Sequence, residues 1–275
     1  MTFPLPDRMV EHARRFYASG AEPATPRGAA TVVLIRPGDG GGVEAYMLRR
    51  VAGMAFGGAY AFPGGGVDAS DASVDLSWAG PSPTSWGQRL GVPPDRAQAI
   101  VCAAAREVFE EAGILLAGPP SAPDTIVDDV SAPEWETARQ ALVAHAIGFA
   151  GFLAAQGLAL RSDLLAPWSR WITPEFEARR FDTYFFVAAL PEGQRPRDVS
   201  GEADHTMWVR PADAMARADA GEITLLPPTR AALAGLASCA DVLAVFAAAA
   251  GRDTATPVTP RLDLAADGTA TFHLS

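Results

Sequence analysis

The segment that most restricts this chain is residues 96–112, an Ala-rich run whose pattern predicts a helix. Gly113 follows directly, at the position where a left-handed helix cap favours glycine. On that helix Glu107, Glu110 and Glu111 stand at i, i+3 and i+4, so they share one face. Like-charged neighbours of this kind destabilise an isolated helix by about 0.2–0.5 kcal/mol per pair. A hard divalent cation taking oxygen ligands, Mg²⁺ or Mn²⁺, would offset that repulsion. Arg106, next in sequence, can hold one of the carboxylates in a two-pronged pair. The plain alternative is a solvated acidic face, which is what a Glu-x-x-Glu-Glu helix usually presents.

The charge inventory narrows the chemistry further. The chain has 275 residues, with 22 basic and 32 acidic side chains and a formal charge of −10. Every basic residue is arginine, and neither lysine nor asparagine occurs. A phosphate loop ending in Gly-Lys-Ser/Thr is therefore excluded, as is Schiff-base chemistry on lysine. The acidic balance argues against nucleic acid as a partner, which needs a basic footprint. Cys102 and Cys239 form no metal-binding pair and read as two reduced thiols. The four histidines are scattered, and only His205 falls near a candidate acid, Glu202. The first fifteen residues lack the apolar run of a signal peptide, so a cytoplasmic location is expected. Residues 141–160 are the nearest approach to a membrane span, and they read as a buried helix instead. No membrane partner is expected.

Upstream lies Phe62-Pro63-Gly64-Gly65-Gly66-Val67-Asp68, a Gly-rich bend where backbone can approach an ion and offer a carbonyl as ligand. Taken together, bend and helix resemble the signature of the Nudix hydrolases: Gly, five residues, Glu, seven residues, then Arg-Glu-apolar-x-Glu-Glu-x-Gly-apolar. Arg106 to Ile114 match the second half at every defined position. Five residues beyond Gly65 stands Asp71, a shorter carboxylate than the family's Glu. Between Asp71 and Arg106 lie 34 residues where the family has seven, an insertion of 27. Loop closure grows slowly costlier with length, so an insertion leaving as a surface loop need not separate the two halves.

Further segments resemble one branch, the coenzyme A diphosphatases with an insertion inside the motif. They include Phe62-Pro63-Gly64-Gly65, the run from Trp168 to Pro174, Arg180-Phe181-Asp182-Thr183, Glu202 with Trp208, and Leu226-Pro227-Pro228-Thr229. The resemblance implies a small-molecule nucleotide substrate, coenzyme A or acyl-CoA, cut to 3′-phospho-AMP and phosphopantetheine. It implies Glu107, Glu110, Glu111 and the Gly65 carbonyl as metal ligands. Glu110, Glu111, Arg106 and Glu202 would be the catalytic set, with Glu202 as base or ligand, and Glu177 or Asp204 in its place otherwise. Arg49, Arg50, Arg180 and Phe62 are the candidate substrate contacts, and Asp71 has a supporting role. NADH, ADP-ribose or another nucleotide remains an alternative substrate. A non-hydrolytic ligand sensor is a second alternative, though such modules usually lose glutamates that this helix keeps.

The expected architecture is an α/β (α+β) Nudix fold, a mixed sheet sandwiched between helices, with extra helices and a loop insertion. Residues 1–27 read as an N-terminal helix and linker, and 28–275 as one domain. Within it, residues 72–98 are the insertion, expected to be loop-like, and 211–275 hold C-terminal helices and a hairpin. Trp78 and Trp86 of the insertion either wall the pocket or anchor the loop to the core, and anchoring suits tryptophans flanked by proline better. Residues 134–156 read as one helix. A homodimer is left open.

Overall fold

A computed structural model gives the structure of the chain and describes residues 7–51, 53, 57–122, 124–197, 201, 203–264 and 270–274. In order these form α1 (Asp7–Ser19), β1 (Arg27–Pro37), β2 (Val43–Arg50), β3 (Ala59–Ala61) and β4 (Gly64–Gly66). A 3-10 turn (Ala69–Ala72), β5 (Trp78–Ala79), α2 (Pro83–Leu90), α3 (Pro94–Ala112) and β6 (Ala117–Gly118) follow. Next come α4 (Pro133–Val143), α5 (Phe149–Ala155), β7 (Ala159–Arg161), β8 (Ala166–Ile172), β9 (Phe181–Ala189) and β10 (Ala203–Val209). The chain continues through α6 (Pro211–Asp219), β11 (Thr224–Leu225), α7 (Pro227–Ala237), α8 (Val242–Ala250), β12 (Pro260–Leu264) and β13 (Ala270–Leu274).

The main sheet runs β11-β3-β2-β1-β9-β8, with β10 pairing β2 and β4 pairing β1 at the branches. It is mixed: β1 runs parallel to β9 and β3 to β11, while the other pairs are antiparallel. Successive residues of a strand point to opposite faces, and β1 uses this fully. Ala30, Val32 and Leu34 enter one core with α2, α3, α4 and α5, whereas Val33 and Ile35 enter a second core with α6, α7 and α8. A strand buried on both faces reads as a continuous apolar run, as residues 32–35 do. The sheet is thus sandwiched between two helical layers.

Two expectations about local structure need correction. The insertion is not a plain loop, because it contains β5, α2 and the first turn of α3. Its prolines open helices rather than prevent them: Pro83 and Pro94 occupy the first helical position, where a missing N–H costs nothing. Ser82 caps α2, its hydroxyl accepting from the Ser85 N–H at 3.2 Å. Trp86 is wholly buried and meets Phe186 edge-on at 5.8 Å, so this tryptophan anchors the insertion to the core. The second correction concerns 134–156, which breaks into α4 and α5 around His145. No single helix among the described residues is long and apolar enough to cross a membrane.

α1 packs on its own chain. Ala13 is fully buried, and His12 and Tyr17 meet Phe176 edge-on at 6.2 and 6.4 Å. β12 and β13 pair as the expected C-terminal hairpin, whose Asp267-Gly268 turn lies outside the described residues. Both cysteines are free thiols.

Candidate active site

α3 delivers its charged face into the molecule rather than to solvent. Arg106, Glu107, Glu110 and Glu111 are all buried. The same helix is lined by Ala103, Ala104 and Ala105, fully buried, and side chains this small let it lie close against the sheet. Its acidic face meets β4, where glycine is required. A Cβ on Gly65 would stand 2.6 Å from the Glu107 carboxyl carbon, and one on Gly64 would stand 2.7 Å from the Thr31 Cα. The Gly64 N–H donates to Glu111 Oε2 at 2.8 Å, which fixes one end of the acidic face to the bend.

Arg106 organises the rest. Its Nε and Nη2 donate to the two Asp71 oxygens, both at 2.9 Å, in a two-pronged pair. Nη2 also donates to the Gly66 carbonyl at 2.8 Å, and Nη1 to Glu107 at 2.8 Å and Glu110 at 3.3 Å. Asp71 is fully buried and is held from the other side by the Asp68 N–H at 2.8 Å, part of a reciprocal cap on the 3-10 turn. The Cys102 thiol donates to Asp71 as well, at 3.6 Å. The insertion therefore leaves after the 3-10 turn and returns into α3 without separating Asp71 from Arg106.

Three carboxylates on one guanidinium, with Glu111 on the Gly64 N–H, leave the cluster with more acids than counter-charge. Burial pushes Glu107 up to about 7 from an ordinary 4.5; Arg106 opposes the rise and the charge of Glu110 adds to it. Burial raises Glu110 too, against Arg106 and, more weakly, His145. For Arg106 burial works downward, but the hydrogen bonds it donates to Asp71 and the charges of Glu107, Asp71 and Glu110 outweigh it, so its value is raised. These are hard oxygen donors in excess of their counter-charge, the set that Mg²⁺ or Mn²⁺ takes. As the side chains stand, no three carboxylate, His or Cys groups among the described residues converge on one point. Glu107 and Glu110 turn to Arg106 and Glu111 to the Gly64 N–H. The residues fit a hard divalent cation in donor type and in charge.

A family model described as the NUDT19 Nudix domain matches residues 82–236, more than half of the chain. The chain belongs to this Nudix family. The match begins inside the insertion and includes the whole acidic helix. A crystal structure of a NUDIX hydrolase from Alicyclobacillus acidocaldarius is 28% identical and superposes with a TM-score of 0.69, covering 85% of this chain and 99% of that one. The fold is accordingly the Nudix fold. Two relatives named acyl-coenzyme A diphosphatase NUDT19 are also similar. The Gallus gallus protein is 30% identical over 212 residues, covering 62% of this chain and 54% of its own length. The Xenopus laevis protein is 26% identical over 205 residues, covering 62% and 53%. The chain thus spans about half the length of these curated relatives.

Within the Nudix site the residues marked from sequence separate into groups. Arg106, Glu107, Glu110, Glu111, Gly65 and Asp71 come together as described. Glu202 lies outside the described residues. Phe62 is corrected: it is 2% exposed in the core on the side of α6 and α7, and its ring is not open to a substrate. Arg49 shares strand parity with Met47, which faces that second core, and its half-exposed side chain pairs through Nε with Asp204 at 2.6 Å. Asp204, the alternative to Glu202, is held in this pair at the surface, where both side chains are about half exposed. His205 goes the same way, its Nδ1 3.2 Å from the Tyr60 hydroxyl. Arg50 has the opposite parity, shared with Tyr46 of the α3 core. Arg180 donates to the carbonyls of Ala24 at 2.9 Å and Thr173 at 3.0 Å, tying down the linker after α1.

Two residues at the site carried no signal in the sequence. Arg139 of α4 is buried, chelates Glu136, and donates from Nη1 to the Glu110 carbonyl at 2.7 Å. It satisfies a last-turn carbonyl of α3 that would otherwise be orphaned. His145, just beyond α4, places Nδ1 3.8 Å from Asp68 Oδ2.

Proposed function

We propose that this Nudix protein is a metal-dependent hydrolase of the diphosphate linkage in coenzyme A or acyl-CoA, giving 3′-phospho-AMP and (acyl-)phosphopantetheine. The observation that carries the reading is the buried Glu107, Glu110 and Glu111 face seated against the Gly64–Gly66 backbone. Likeness to relatives named acyl-coenzyme A diphosphatase supports the substrate.

Glu107, Glu110, Glu111 and the Gly65 carbonyl would hold Mg²⁺ or Mn²⁺. Such an ion supplies charge neutralisation of the diphosphate and a more acidic water. The protein's own part is to keep the acids in place. Arg106 clamps Glu107 and Glu110, Asp71 fixes Arg106, and the Gly64 N–H orients Glu111. Glu202 is the residue we assign to take the proton from the attacking water. Burial of the cluster also lowers the local dielectric, which strengthens each of these interactions.

Incubation with Mg²⁺ and a panel of acetyl-CoA, NADH and ADP-ribose, with products identified by mass, tests the substrate. 3′-Phospho-AMP from acetyl-CoA alone is the expected result. Preferred cleavage of NADH or ADP-ribose replaces the substrate but keeps the reaction, and no turnover at all favours a ligand sensor.

The raised Glu107 value gives a second test. Its folded value, about 7, exceeds the ordinary 4.5, so ionising it opposes folding. That penalty is absent at low pH, grows as pH rises through about 7, and is constant above. Measured against Glu107→Gln, the wild-type thermal midpoint should drop between about pH 5 and about pH 8 without metal. Mg²⁺ should restore it, more at the higher pH, because the cation binds the ionised form. A midpoint indifferent to Mg²⁺ at both pH values contradicts the assignment of the glutamates as ligands.

A further inference from the structure

His145 is the sole non-glycine residue with positive φ among the described residues, at φ 51°. It follows α4 in a Schellman-type cap: the Ala146 N–H donates to Ala141 O at 2.9 Å and the His145 N–H to Leu142 O at 2.8 Å. That cap position favours glycine, since a side chain is strained in the left-handed region. The chain follows this preference elsewhere. Gly20, Gly91, Gly113, Gly157 and Gly221 follow α1, α2, α3, α5 and α6, all with positive φ. α4 alone among these ends on a histidine. Strain retained at one position in a chain that relieves it at five others points to a use for the side chain.

The position of the turn indicates what that use is. α4 is fastened to the acidic helix by Arg139 on the Glu110 carbonyl. α5 is seated on the 3-10 turn that carries Asp71, where a Cβ on Gly148 would come 3.3 Å from the Ser70 Cβ. The turn between them therefore bridges both halves of the site and sets His145 at its rim. The imidazole is 72% exposed, makes no hydrogen bond among the described residues, and stands within charge range of Asp68, at 3.8 Å, and more weakly of Glu110. Arg106 cannot greet an anion there, because its side chain is 6% exposed and its donors are engaged by Asp71, Glu107, Glu110 and Gly66.

We propose that His145 is a substrate-contacting residue whose imidazole donates to phosphate oxygens of the bound diphosphate and so positions it over the glutamate face. This rests on the reading of the site as a diphosphate hydrolase. A nitrogen donor on a tied-down turn, at the edge of an anionic cluster, is the complement that a phosphate needs when the arginine behind it is already committed.

His145→Gly separates this role from mere helix capping, because glycine is the better cap. The variant should fold as well as wild type, with a thermal midpoint equal or a few degrees higher. KM for coenzyme A with Mg²⁺ should rise about tenfold, with kcat changed less than about twofold, the mark of lost ground-state and transition-state binding together. Calorimetric binding of methylenediphosphonate, a diphosphate that resists hydrolysis, should weaken by a similar factor. His145→Asn, which tolerates the left-handed region and keeps a shorter N–H donor, should fall between the two. Unchanged methylenediphosphonate affinity in His145→Gly overturns the proposal whatever the kinetics, as does wild type that fails to bind it. If wild type turns over no coenzyme A yet the variant still loses analogue binding, the coenzyme A reading fails and the role of His145 stands.

Discussion

Arg106→Leu is expected to lose about 3–5 kcal/mol of folding stability near neutral pH, the range for removing one partner of a buried ion pair. The reason is what remains. Asp71 is fully buried and gives both oxygens to Arg106, so it would keep only the Asp68 N–H and the Cys102 thiol. Glu107 would lose its 2.8 Å partner while remaining beside Glu110. The uncompensated carboxyls would take values above their unfolded ones, so the deficit should be largest at alkaline pH and shrink as pH falls through those values. Urea midpoints of wild type and variant across pH measure it. Equal midpoints at neutral pH would mean that Arg106 does not organise the cluster. Asp71→Asn should lose less, because an amide oxygen still accepts a hydrogen bond and the buried Arg106 keeps Glu107 and Glu110 as counter-charges.

The acidic helix was legible because three signals agree there: the Ala-rich pattern, the closing Gly113, and glutamates on one face. The two-faced sheet was legible in part, since β1 shows its burial on both faces as the apolar run over residues 32–35. Which face each polar strand residue would take was not. Arg49, Tyr60 and His205 share the side away from α3, and only the register of β2 with β3 and β10 reveals it. Phe62 misled for the same reason, its place beside the Gly-rich bend saying nothing of which core it enters. The insertion was misread because proline marks both loops and helix starts, and Ser82-Pro83 and Pro93-Pro94 are starts. Residues 141–160 are apolar almost throughout, so nothing in the period marks the break; it comes from a left-handed residue that happens not to be glycine. Asp71 shows the opposite case, a weak sequence match that tertiary structure makes a central contact, 2.9 Å from a residue 35 positions later.

Glu110→Gln should behave in the opposite sense to Arg106→Leu, losing activity while keeping the fold. Glu110 is raised by burial, so its ionised form is the costly one, and a neutral amide of the same shape removes that penalty. Its contact to Arg106 is the longer of the two glutamate contacts, 3.3 Å against 2.8 Å for Glu107, so little pairing is lost. The thermal midpoint without metal should therefore hold or rise. Mg²⁺-dependent turnover should fall about 100-fold or more, equivalent to roughly 3 kcal/mol of transition-state stabilisation and within what a lost ligand to a Lewis-acidic cation removes. The rise in midpoint on adding Mg²⁺ should shrink in parallel, since one carboxylate fewer is available to hold the ion. Full turnover in the variant would sink the glutamate face as the catalytic element. A collapse in stability would instead mean that Glu110 is a structural partner of Arg106. The expected pairing of retained stability with lost turnover follows from one physical condition: this cluster holds more buried negative charge than Arg106 alone neutralises.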